Sequence, residues 1–435
     1  MLFASLAEAK VDLSGTFLSR GTLDLTHDRP LEDQTSDREY LRIEARFDVF
    51  PWLEGKLGLQ LDRLAFYGNH NGREETRLEF WESYLRFLGK NTEITVGNQI
   101  IRWGKADEIT VLDNLSWQDL RELFTWRLEE RERPWPWLRI QHFFQNFTLE
   151  GVFTLWPLWP KRDDFDSDWA VFDHLRKALE NAPLPFPLPL ELDKQKLSPS
   201  LRNSEFGFRL EGTYQEIDWE ISFLHGHDRS FYYYVRRFPI RGLTLKHPAE
   251  PLKDLLSSLP KFQILGHTAR VERPQDNILG VAFETTWRGL GIRGEFAYHT
   301  GRVFMKENLE SVQKPYWRYV LGLDYRFENG LYLNLQFLQQ HILGWSENIL
   351  FDPKYDSYVF LRLSKGFLRD FLELRLDGTY GITTRIYYLN PEISYKVRDN
   401  WEIFGGFHLL DGPRGTFFDV YDNNDQIYLG LKISF

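Results

Sequence analysis

Ile427-Tyr428-Leu429-Gly430-Leu431-Lys432-Ile433-Ser434-Phe435 carries apolar residues at every odd position and Tyr, Gly, Lys and Ser at the even ones. Strict alternation of this kind describes a strand with one greasy and one polar face. Nine residues is also about the length at which a tilted strand crosses a bilayer. The pattern recurs upstream. Leu321, Leu323, Tyr325 and Phe327 alternate with Gly322, Asp324 and Arg326, turn at Glu328-Asn329-Gly330, and return through Leu331, Leu333, Leu335 and Phe337. Asn-Gly between alternating runs is a strong hairpin signal. Leu41 to Val49 turn at Phe50-Pro51-Trp52 and return through Leu53, Leu57, Leu59 and Leu61, and Ile393 to Val397 return through Trp401, Ile403 and Phe407.

Composition narrows the class. The 435 residues are 16% aromatic and 27% charged, with no Cys and a net charge of -10. Mean hydropathy is -0.43. No run approaches the roughly 20 apolar residues of a spanning helix. Without Cys there is no disulfide, thiol nucleophile or thiolate metal site. The negative charge argues against nucleic acid as a partner. Many aromatics and charges, alternating faces and no long apolar run together predict an all-β transmembrane antiparallel barrel. Aromatics gathered beside the short turns (Phe47, Phe50, Trp52; Phe144, Phe147; Tyr214, Trp219; Tyr325, Phe327; Tyr395, Trp401) fit a girdle at one membrane surface.

One barrel is expected over 1–435. About eighteen strands are read at 9–26, 38–50, 53–67, 77–88, 92–103, 136–145, 147–156, 204–215, 217–228, 276–287, 291–301, 316–327, 331–341, 355–365, 370–380, 384–397, 401–410 and 426–435. Short turns near 51, 90, 146, 216, 289, 329, 368 and 399 alternate with longer links at 27–37, 68–76, 104–135, 157–203, 229–275, 302–315, 342–354 and 411–425. Short turns face the periplasm in such barrels, so both termini are expected there, in a bacterial outer membrane with its lipid and lipopolysaccharide as surroundings. Met1 to Ala9 holds a short apolar stretch, Leu2 to Ala7, without a basic region and too short for a secretory signal, which reads as a mature or re-engineered chain.

Two resemblances add to this. A final strand ending in Phe435 resembles the signal read by the outer-membrane assembly machinery. The stretch Val96-Gly97-Asn98-Gln99-Ile100-Ile101-Arg102-Trp103-Gly104-Lys105-Ala106-Asp107, followed by Leu112-Asp113-Asn114-Leu115-Ser116-Trp117-Gln118-Asp119-Leu120-Arg121-Glu122, resembles a widespread family of Gram-negative outer-membrane barrels catalogued mainly as a domain of unknown function. That family has a strand ending Gly-x-Gln-x-x-x-Trp-Gly and a loop like Asn-Pro-x-Asp-Leu-Arg-Glu. Ser116 and Trp117 stand where the family has its proline. The resemblance implies kinship with porin-like and alginate-exporter-like barrels, and a role in transport that for some members is lipid or hydrophobic-substrate export.

The 104–135 segment is dense in charge, and Asp119 with Leu120, Leu123, Phe124 and Leu128 predicts a capped short helix. A long loop on a wide barrel folds inward. Arg102, Trp103, Lys105, Asp107, Asp113, Asp119, Arg121 and Glu122 are the candidate constriction residues; the alternative is a loop latched to the wall by structural ion pairs, with no solute contact. In 157–203, Asp168 to Glu180 predicts a helix and Ala182 to Leu190 an extended proline-rich run, either plugging the lumen, forming a rim surface or packing against other loops. The 229–275 loop is expected to lie outside, with a helix at Pro251 to Leu259 and an aromatic cluster Phe231-Tyr232-Tyr233-Tyr234.

The inward face alternates sign through Arg42, Glu44, Arg46, Asp48, Lys56, Glu82, Arg86, Arg209, Glu211, Arg293, Glu295, Arg326, Arg362, Glu373, Arg375 and Asp377. Opposite charges across strands stabilise a wall, and facing rows of both signs set up a field that suits polar solutes. His225, His227, Asp228 and His299 sit at strand ends without a nucleophile motif. Asp419, Asp422 and Asp425, with two Asn between, form either a weak calcium site or a polar turn. No other cofactor is implied. The expected function is a loop-constricted channel for a sugar acid, lipid or other small solute. A non-conducting barrel holding a ligand or an envelope exporter partner is the alternative, and a barrel hydrolase the second.

Overall fold

A computed structural model describes residues 11–25, 35–67, 73–157, 160–170, 172–183, 189–229 and 233–435. The 1–9 segment, the first residues of the first strand, 184–188 of the proline run and Phe231-Tyr232 lie outside the described residues.

The wall strands are β1 Val11–Asp24, β2 Thr35–Phe50, β3 Leu53–Tyr67, β4 in two halves Arg73–Phe80 and Ser83–Leu88, β5 Thr92–Gln99, β6 Trp135–Phe143, β7 Phe147–Thr154, β8 Glu205–Tyr214, β9 Ile217–His227, β10 Gln275–Trp287, β11 Leu290–Met305, β12 Ser311–Arg326, β13 Tyr332–Ile342, β14 Tyr355–Phe367, β15 Leu372–Gly381, β16 Tyr387–Arg398, β17 Trp401–Asp411 and β18 Gln426–Ser434. Both halves of β4 pair with β3, so nineteen hydrogen-bonded segments make eighteen antiparallel strands. β18 pairs back onto β1, from Asp24 against Gln426 to Thr16 against Ser434, and closes the barrel. Phe435 extends the seam by exchanging backbone bonds with Gly15.

Alternation decides which side chains face out. Leu41, Ile43, Leu57, Leu59 and Leu61 are exposed on the outer surface, while Arg42, Lys56 and Gln60 between them point into the lumen. Aromatics meet at the short turns: Phe50 stacks on Trp52 at 5.1 Å, Trp52 on Phe87 at 6.4 Å, and Phe144 on Phe147 at 4.4 Å. Val11, where the described chain begins, and Phe435 lie at this short-turn end.

Four departures from the expected elements stand out. β4 is interrupted at Trp81-Glu82, where the Trp81 amide donates to Gly58 O. Opposite the break, Gly97 takes φ +132, and a Cβ there would run into the Ser83 carbonyl; only glycine fits. β5 then ends at Gln99, not at 103, and the chain turns inward. The Asp119–Leu128 helix does not form. The Asp119 amide bonds Arg131 O and the Leu120 amide bonds Lys161 O, so the backbone is spent on bridges, and helix is confined to Leu128–Arg131. The link expected at 302–315 shrinks to 306–310, because β11 and β12 run further out.

The longer loops share a small core of their own. α1 (Asp173–Asn181) and α2 (Pro251–Ser258) lie close together, and a three-stranded sheet joins Glu191–Lys194, Thr268–Glu272 and Tyr234–Val235. Leu175, Leu179, Val235, Leu255, Val271 and Met305 are buried in this core. The 157–203 and 229–275 segments thus pack on each other.

Candidate pore loop and lumen

Residues 100–134 connect β5 to β6, and their partners lie on inward-facing positions all round the wall. Glu295 on β11 accepts from the Lys105, Ala106 and Val111 amides at 2.6, 2.7 and 2.7 Å and from Thr110 Oγ1 at 2.8 Å. Glu220 on β9 accepts from the Gly104 amide at 3.1 Å. Gly104 has φ +103, and a Cβ would collide with the Glu295 carboxylate. Trp103 Nε1 donates to Glu150 on β7 at 2.6 Å. Asp107 pairs with Arg293 and accepts from Asn334 at 2.8 Å. Glu108 pairs with Arg362 on β14. Lys105 Nζ lies 3.4 Å from Glu211 on β8.

The second half of the loop meets the opposite wall. Arg121 donates to both Asp119 oxygens, at 2.9 and 2.8 Å, and to Glu75 on β4 at 2.8 Å. Arg133 donates to Asp119 and to Asp62 on β3, each at 2.9 Å. Glu122 accepts from Ser36 on β2 at 2.9 Å and from Trp126 Nε1 at 2.8 Å. Glu130 holds Arg20 on β1 at 3.0 Å, and Arg127 reaches Glu392 on β16 at 2.7 Å. Arg102 holds Glu132 through Nε at 2.9 Å. A segment with partners from β1 to β16 lies inside the barrel.

Apolar packing fixes the same loop. Ile101, Trp103, Val111, Leu112 and Leu115 pack against Trp137, Val152, Leu224, Ala297 and Val320 of the inner wall. Cation–π contacts support the opposite wall, with Arg38 3.5 Å over Trp126 and Arg42 3.6 Å over Trp81.

Burial and charge set the loop's titrating groups. Burial works to raise the Asp119 carboxyl, but Arg121 and Arg133 overcome it and hold it below the usual range. Burial pushes Glu122 up against its bonds to Ser36 and Trp126, and pulls Lys161, beside Asp119, down to about 8.

The wall charges pair across strands as expected in part of the barrel and not in the rest. Between β2 and β3, Arg42 faces Gln60, Glu44 faces Gly58 and Arg46 faces Lys56, whereas elsewhere Arg209 faces Glu150, Arg293 faces Glu284, Arg362 faces Asp377 and Arg375 faces Glu392. Lys56 bridges Glu44 and Glu82, each at 2.6 Å, because its long stem reaches diagonally. Arg209 lies between Glu150 at 3.2 Å and Glu211 at 3.0 Å. Arg362 holds Asp377 at 2.6 Å, and Arg375 holds Glu392 at 3.0 Å. Arg326 stacks over Tyr332 at 5.3 Å and Glu373 is exposed, both near the short-turn end. The pattern marked which residues face inward but not that many serve the loop.

The other candidates are engaged locally. Asp419 accepts from the Gly415 amide at 2.6 Å and Asp425 from the Leu410 amide at 2.8 Å, while burial and the adjacent Asp411 push Asp422 up. Among the described residues no three carboxylates or histidines converge as a metal site requires. His227 Nδ1 lies 2.8 Å from Glu205, His299 Nδ1 2.8 Å from Asp276, and His225 Nδ1 2.8 Å from Asn277.

No protein-family model matches the sequence, and no curated protein matches it. Solved structures do match. OccAB1 of Acinetobacter baumannii superposes with a TM-score of 0.53 at 8% identity, covering 100% of this chain and 98% of that one. OccK11 of Pseudomonas aeruginosa gives 0.50 at 9% identity, covering 99% and 96%. The fold is that of an outer-membrane porin. At such identity the likeness extends to the barrel and its eighteen strands, and the loop contacts above are properties of this chain.

Proposed function

We propose that the chain is an outer-membrane channel that passes a small polar or amphipathic solute through a lumen narrowed by residues 100–134. Glu295 carries the reading: one wall carboxylate gathers donors from Lys105 to Val111 and keeps the loop inside. Arg102, Trp103, Lys105, Asp107, Asp113, Asp119, Arg121 and Glu122 are its constriction residues, and the charged rows from Arg42 to Arg375 its wall. The short-turn end faces the periplasm, where the assembly machinery reads Phe435, and lipopolysaccharide surrounds the outer rim. The Trp103-Gly104 motif's resemblance to the Gram-negative barrel family supports a transport role.

Single-channel conductance in a planar bilayer tests this. A steady conductance blocked by one solute class is expected; silence from a barrel that is heat-modifiable on a gel overturns it. The apolar packing of Trp103 and Leu112 on Val152 and Val320 favours a second reading, a filled barrel that binds a ligand or an export partner and conducts little. Such a protein stays silent and retains a partner on affinity capture.

A further inference from the structure

Three arginines gathered beside the in-folded loop differ from the paired ones around them. Arg121, Arg133, Arg209, Arg293 and Arg362 each contact a carboxylate. Among the described residues Arg131, Arg302 and Arg318 form no such ion pair. Arg318 donates to Val111 O, at 3.4 Å, and to Tyr316, and its Nε is buried without a partner in the protein. Arg131 Nε is likewise buried and unpartnered. The Arg302 guanidinium lies 5.2 Å over Tyr316.

All three line a single cavity of about 330 Å³ between the in-folded loop and β11–β12. That is within the usual size of small-molecule sites, about 300–1,000 Å³. Trp117 and Asp113 also line it, and Trp117 Nε1 and Asp113 Oδ1 are buried without partners in the protein. Native interiors leave few polar atoms unsatisfied; here four surround one space. Asp228, Asp276 and Asp352 act on Arg302, but the acids nearest Arg131 and Arg318 are already engaged, Glu132 by Arg102 and Glu295 by the loop amides. Glu108 is held by Arg362, and Arg229 holds Glu205 at 2.6 Å. Burial, then Glu132 beside it, pushes the Asp113 carboxyl well above the usual carboxylate range, so Asp113 adds a hydrogen-bonding group and little charge.

We infer that this cavity binds a small hydroxylated anion, its carboxylate or phosphate group on Arg131, Arg302 and Arg318 and its hydroxyls on Trp117 and Asp113. Guanidinium forks match both oxyanions in geometry, and the indole N–H is a donor only, suited to a hydroxyl oxygen. The site lies on the pore loop, so it rests on the channel reading and names the solute class for it.

Calorimetric titration of the purified full-length barrel in detergent tests the site, with glucuronate, glycerol phosphate and glucose as probes. Saturable binding of glucuronate, glycerol phosphate or both, with none of glucose, is expected; which anion binds identifies the group recognised. Arg131→Ala and Arg318→Ala each weaken binding by about tenfold or more. Arg318→Lys keeps the charge without the fork and weakens it less; it also keeps the test valid if the alanine variants fail to fold. Glucose binding as well as the anions do, or anion binding undiminished by the arginine substitutions, overturns the site. Conductance in plain salt reads the channel separately. A conducting barrel that binds no anion overturns the site alone, and a silent barrel that binds glucuronate supports the site while overturning the channel.

Discussion

The Val111 amide donates to the Glu295 carboxylate at 2.7 Å, across 184 residues of chain. The same carboxylate also takes Lys105, Ala106 and Thr110, so one wall residue fixes a whole turn of the loop. Glu295→Ala leaves several of these donors unsatisfied, at about 1–3 kcal/mol for each that stays buried. The loop is expected to loosen, giving larger and noisier single-channel currents. Wild-type currents from this variant would mean that apolar packing alone holds the loop.

Asp119→Ala strands Arg121 and Arg133 in the interior. Removing one partner of a buried ion network costs about 3–5 kcal/mol, and the variant is expected to lose its heat-modifiable form at a lower temperature than wild type. Equal transition temperatures would show that Asp62 and Glu75 hold both arginines unaided.

Arg102→Ala removes the cation that meets the buried Glu132. Higher conductance and a shift of selectivity toward cations are expected, read from reversal potentials under a salt gradient. Unchanged conductance and selectivity in both Arg102→Ala and Asp119→Ala would count against a gating role for the loop.

Gly104→Ala places a methyl group against Glu295 at a φ that strains any other residue, at about 1–3 kcal/mol. Proteolysis from the outer side is expected to cut the 100–134 loop in this variant and spare it in wild type. A protease-resistant variant would show that the turn tolerates a side chain.

Lys161 gives a pH signature. Its amine is lowered to about 8 from an ordinary 10.5, chiefly by burial. Between those values the unfolded chain binds the proton and the folded chain does not, so this group's contribution to stability rises with pH across that window. Lys161→Met is expected to exceed wild type in stability at neutral pH by up to about 3 kcal/mol, with the difference shrinking toward pH 10. Thermal melts of the pair at both pH values check this; a difference independent of pH contradicts it.

The wall was legible because period-two alternation survives in nearly every strand, from Leu41–Val49 to Ile427–Phe435. Parity of short and long links gave the strand number. The interior was less legible. Charges such as Arg293, Glu295 and Arg362 read as wall residues, and nothing local shows that their partners are amides and acids of a loop more than a hundred residues away; Glu220, which takes the Gly104 amide, was not singled out at all. The Asp119 helix failed for a similar reason: its backbone is claimed by Arg131 and Lys161, and its carboxylate by Arg121 and Arg133. The break at Trp81-Glu82 shows in the alternation only as a slip of parity, from outward Leu78 and Phe80 to outward Leu85 and Phe87, while Gly97 and the Trp103-Gly104 pair flagged the turn that follows it. The joint core of the outer loops was foreshadowed only by the apolar spacing of Phe172, Leu175 and Leu179.

Single-channel recording of the purified barrel beside its Glu295→Ala variant tests the central claim most directly. A steady, solute-blockable conductance in wild type, larger in the variant, is the predicted result. Silence in both, from protein that still shows barrel behaviour on a gel, would contradict a channel gated by the in-folded loop.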